Sequence, residues 1–94
     1  MTQQYLIGEL SVRLEQLQAA TTGLAERDVA RLRLEVENGP VGALAPATAR
    51  AIALADVMCW RSLACGDMAA FARQADIAAD LLLFGVSAQL LADR

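Results

Sequence analysis

Residues 47–91 constrain this chain more than any other stretch. Two long apolar runs meet there at Cys65-Gly66-Asp67-Met68. A Gly that closes one run and an Asp that opens the next supply the stop and start of consecutive helices. Only seven residues between 47 and 91 are charged, against ten in residues 1–46. Helices apolar around most of their circumference need cover on several sides, so the second half of the chain reads as the interior.

Everything else must fit around that pair. Ninety-four residues make a single domain, 1–94, with one modest core. Twenty of them are Ala, which suits close helix packing, and the alternating β-branched runs of a sheet are missing. The fold class is therefore all-α: a small four-helix bundle of two helical hairpins, with helix 3 central and largely buried.

The chain divides accordingly. Helix 1 is expected over residues 3–21, with Leu6, Leu10, Leu14, Leu17 and Thr21 on one arc and Ile7 at its edge. Thr2 is placed to cap its start, and Thr21-Thr22-Gly23 to end it. Helix 2 is expected over 24–37, with a narrow seam of Ala25, Val29, Leu32 and Val36 and a mixed-sign surface from which Leu34 projects. Asn38-Gly39-Pro40 stops it, and the apolar linker 39–46 should lie on the core. Helix 3 is expected over 47–65 and helix 4 over 68–92. The inner face of helix 4 reads as Phe71, Ala75, Ala78, Ala79, Leu82, Val86 and Leu90. Gly85 falls inside helix 4 and signals a kink, a break, or another helix at close range.

Composition removes several function classes. The chain has neither His nor Lys, so the commonest general base, the commonest metal ligand and the Schiff-base amine are absent. A net charge of −3 argues against a nucleic-acid binder. The longest nearly uncharged run, Leu81 to Ala92, is too short to span a bilayer, and the opening MTQQYLIGEL lacks the basic start and apolar core of a secretory signal. No nucleic acid, no membrane and a cytoplasmic location are the resulting expectations. Cys59 and Cys65 are six residues apart on one helix, too far to bridge, and are read as reduced thiols. Asp76 and Asp80 lie one turn apart with Arg73 nearby, which describes a self-neutralised strip better than a cation site. No metal, cofactor or catalytic residue is expected.

Asp56 stands out because its helical neighbours are Ile52, Ala53, Cys59 and Trp60, with no cation among them. A buried carboxylate needs a partner, so an Arg from another helix is expected beside it, with Arg13 and Arg73 the candidates. This defines one possible ligand-binding set: Asp56, Cys59, Trp60, Arg13 and Arg73. A second feature is apolar surface beyond what helices 1 and 2 can cover. It points to a homodimer interface at Leu54 and Val57 of helix 3 and Ile77, Leu81, Phe84 and Ala88 of helix 4. The favoured reading is a non-enzymatic interaction or assembly module that homodimerises through its C-terminal hairpin, with a further protein partner possible. The alternative is a small-molecule binder or minimal enzyme with a pocket near Asp56 and Trp60.

Overall fold

A computed structural model describes residues 3–21, 24–39 and 44–92. The expected caps at Thr2 and Thr22-Gly23, and residues 40–43 of the linker, lie outside these residues, while the linker's last three residues, Leu44, Ala45 and Pro46, are helical. Four helices make up the described chain: α1 (Gln3–Ala19), α2 (Leu24–Asn38), α3 (Leu44–Ala64) and α4 (Met68–Ala92). There is no strand among the described residues. Each helix packs first against its neighbour in sequence, α1 on α2 and α3 on α4, and the two hairpins then close into a small four-helix bundle.

α1 buries Leu6, Leu10, Leu14 and Leu17, the single leucine arc that its spacing dictates. It ends slightly early, at Ala19. Thr21 turns back, donating from its Oγ1 to the Leu17 carbonyl at 2.5 Å and reaching Met58 Sδ at 3.2 Å. α2 contributes Val29, Leu32 and Val36 to the same core. Its outer side faces solvent, and Leu34 is exposed there. The expected seam residue Ala25 is outside the described side chains.

The first hairpin is laced together on its surface. Ser11 donates to Glu37 Oε1 at 2.6 Å, and Arg33 Nε approaches the same oxygen at 3.1 Å. The Ser11 bond, followed by Arg33, pulls the Glu37 carboxyl below the ordinary glutamate range.

α3 packs against all three other helices, as α1 does, but it is not largely buried as expected: eleven of its twenty-one residues are exposed, because its outer side has no neighbour in the chain. The side it buries consists mostly of small residues: Ala47, Thr48, Ala51 and Ala55, with Met58 and Cys59. Pro46 sits in its first turn, where its missing N–H costs nothing. α3 ends in a Schellman motif. Asp67 N–H reaches the Ser62 carbonyl at 2.9 Å and Gly66 N–H the Leu63 carbonyl at 3.1 Å, with Gly66 at φ 76°. Asp67 then caps α4 by accepting the Ala70 N–H at 3.1 Å.

α4 runs unbroken through Gly85. A Cβ at Gly85 would meet Thr48 Cγ2 at 3.4 Å and Ile52 Cδ1 at 3.6 Å, so this glycine faces α3 at close range. Its position fixes the rotation of the helix, and that rotation departs from the sequence expectation. The buried side is Ala70, Gln74, Leu81, Phe84 and Ala88, while Leu82 and Val86, expected inside, are exposed.

Candidate interaction surface

Two polar anchors hold α4 in this rotation. Gln74 is buried; its Nε2 donates to the Ala20 carbonyl at 3.0 Å and its Oε1 accepts from Ser62 Oγ at 2.6 Å. Half a helix further on, Arg13 of α1 lies over the Phe84 ring, 4.9 Å from its centroid. Arg13 Nη1 pairs with Glu9 at 2.8 Å, and its Nε lies 3.0 Å from Asp80 Oδ2. That Nε is fully enclosed and satisfies no hydrogen-bond geometry, so the Asp80 contact is electrostatic and not an aligned N–H···O bond. Turning Leu82 inward would swing Gln74 and Asp80 away from these partners. In this rotation both ends of the buried Gln74 amide are hydrogen-bonded, and Leu81 and Phe84 are buried in place of Leu82 and Val86.

The residues expected at a dimer interface are consequently redistributed. Leu81 (0% exposed), Phe84 and Ala88 belong to the core of the single chain, and Leu54 and Ile77 are half-buried against it. Only Val57 lies open to solvent. Of the residues expected inside α4, Phe71, Ala75 and Ala78 are half-buried and Ala79 is exposed with Leu82 and Val86, so the buried side lies about one residue round from the expected one.

The exposed side that results is apolar. Among the described residues ten large hydrophobic side chains are exposed, and seven of them sit on α3 and α4: Val57, Trp60, Leu63, Met68, Leu82, Leu83 and Val86. Trp60 is 66% exposed and Leu83 69%. α3 and α4 run antiparallel in register, with Gly85 beside Thr48 and Ile52 and Gln74 bonded to Ser62. The bulky groups therefore occupy both ends of the hairpin, and the exposed alanines Ala49, Ala53, Ala72 and Ala79 lie along the same two helices between them.

The proposed ligand-binding set is not brought together. Asp56 is exposed, and none of the hydrogen bonds or ion pairs among the described residues involves it. The expected partner Arg13 is committed to Glu9, Asp80 and Phe84, and Arg73 lies across the bundle, in a groove of about 330 Å³ with Gln16, Asp76 and Ile77. Cys59 is buried; burial pushes its thiol up, and the nearby Asp56 carboxylate adds to the effect. Cys65 is exposed, and both thiols are free. Trp60 points outward. Of its helical neighbours Cys59 is buried and Ile52 half-buried, but Ala53 and Trp60 are exposed and Asp56 itself faces solvent, where a carboxylate needs no cation.

A second groove, of about 310 Å³, runs between α2 and α3 and is lined by Asp28, Arg31, Arg50, Ala53, Leu54 and Val57. Among the described residues no three His, Cys, Asp or Glu side chains converge as a metal site, and no helix is long and apolar enough to cross a membrane.

Leu82 and Val86 were expected on the inner face of helix 4, and Leu63, Met68 and Leu83 are not among the interface residues that the sequence spacing proposes. The signal for the α4 members was Gly85: placed against α3 as the point of closest approach, it turns Leu82 and Val86 onto the outer flank. No protein-family model, curated protein or solved structure matches this chain.

Proposed function

We propose that the protein is a homodimeric assembly module that pairs through the outer side of its α3–α4 hairpin. The observation that carries this reading is that seven large apolar side chains are exposed on that hairpin, most of them at its two ends. Their exposed fractions together leave several hundred Å² of apolar surface open, divided between the two ends of the hairpin. Monomers tolerate contiguous apolar patches of a few hundred Å², whereas a standard interface takes about 800 Å² from each partner.

A second copy is the simplest occupant. A two-fold axis lets one patch cover itself, and the interspersed alanines allow helices to approach closely. The free thiols suit a reducing compartment, so a cytoplasmic location belongs to the same proposal.

Size-exclusion chromatography with light scattering tests it. The expected result is a species of twice 10.0 kDa at micromolar concentration. A monomer at that concentration overturns the proposal.

A further inference from the structure

The exposed side of α3 carries more information than its hydrophobicity. Ala53, Val57, Trp60 and Ala64 are all exposed, and they are spaced four, three and four residues apart. That is the d-a-d-a spacing of a coiled-coil seam. In the same frame Asp56 falls at g and Arg61 at e, one on each flank of the stripe. Both are exposed, and neither side chain takes part in an ion pair or hydrogen bond among the described residues. Arg50, at the preceding a position, is bonded to Glu35 of α2 and marks the end of the seam.

Resting on the homodimer reading above, we infer that two copies pair with their α3 helices parallel, Val57 on Val57 and Trp60 on Trp60, and with Asp56 of each copy bonded to Arg61 of the other. The orientation follows from symmetry. In a parallel two-fold seam a g residue meets the e residue five positions further on in the second helix, and Asp56 to Arg61 is that step. In an antiparallel two-fold seam g flanks face g flanks and e flanks face e flanks, so Asp56 cannot reach Arg61 of the other copy. Only the parallel arrangement forms the pair. Leu63, at the next g position, is exposed on the same flank as Asp56.

The test is a charge exchange on the intact chain, with the dissociation constant read from the emission of Trp60, the sole tryptophan, on dilution. Asp56→Arg and Arg61→Asp should each weaken the dimer about tenfold or more, since two symmetric exposed pairs are lost at once. The double variant should return to within about threefold of the parent. Orientation is read independently by cross-linking in a Cys65→Ser background. Ala64→Cys should oxidise to a 64–64 disulfide, and a mixture with Ala53→Cys should give no 53–64 product.

A dimer in which the double variant stays weak, or in which 53–64 cross-links dominate, overturns the parallel pairing and leaves the homodimer standing. A parent chain that remains monomeric at micromolar concentration overturns both.

Discussion

The two hairpins solve the same packing problem in opposite ways. In α1–α2 the large aliphatic residues point inward, with Leu10, Leu14, Leu17, Val29 and Leu32 fully buried, and the charges lie outside in short networks. In α3–α4 the inward side of α3 is largely alanine, and much of the bulk, Trp60, Leu82, Leu83 and Val86, points out. Small inward residues let two helices approach closely, and large outward ones leave area for something else to bury. Hydrophobic content therefore says how much of a helix seeks cover, but not which side its own chain will cover.

The sharpest way to break that contrast is to place one charge at adjacent positions of α4. Leu81→Arg puts an unpaired guanidinium in the core and is expected to cost about 4 kcal/mol or more, unfolding a chain of this size. Leu82→Arg, 54% exposed in the parent, is expected to keep the helical circular dichroism while abolishing the dimer in light scattering. If both variants unfold, the outer side is structural and the contrast disappears.

The next largest effect compares residues of similar hydrophobicity in the two hairpins. Leu14→Ala should cost about 2–5 kcal/mol in urea unfolding. Trp60→Ala should change the stability of the dissociated chain by less than about 0.5 kcal/mol, because that ring has little in its own chain to lose.

The hairpin corner and the α3–α4 contact supply a smaller pair. Gly66 holds a positive φ of 76°, so Gly66→Ala should destabilise by about 1–2 kcal/mol. At Gly85 an added methyl meets Thr48 and Ile52 at ordinary contact distance. Gly85→Ala should therefore stabilise by up to about 1 kcal/mol through helix propensity. A loss of stability instead would show that α3 and α4 have no room to spare.

The smallest effect belongs to the first hairpin's surface. The Glu37 carboxyl is lowered by Ser11 and then Arg33, so its ionised form favours the fold. That contribution is complete above the ordinary glutamate range and is lost as pH falls through the lower native value. Side-chain NMR titration should find the Glu37 midpoint below that of an ordinary glutamate, and Ser11→Ala should raise it.

The sequence made the helices legible because their punctuation is local. Gly66-Asp67 and Asn38-Gly39-Pro40 mark boundaries by backbone chemistry alone, and the leucine arc of α1 admits one orientation. The rotation of α4 was not legible, since nearly every face of it is apolar and periodicity has nothing to discriminate. The deciding contacts, Gln74 with Ala20 and Ser62, and Arg13 with Asp80 and Phe84, join residues far apart in the chain. Asp56 lies outside for the same reason: apolar neighbours along a helix do not say which side of it the rest of the chain covers. The surplus of apolar surface on the second hairpin was readable, but its composition depended on that rotation.

The Gln74 bond to Ala20 also bears on how the chain folds. It joins residues 54 apart, whereas each hairpin forms from elements adjacent in sequence. Closing so large a loop costs entropy that local pairing does not, so the hairpins assemble first and this clasp closes late. A late contact leaves the rate of folding nearly untouched and sets the rate of opening instead. Replacing Gln74 by Ala would thus give a protein that folds as fast as its parent and comes apart sooner, the two hairpins separating at the end where Ala20 and Ser62 are now held together.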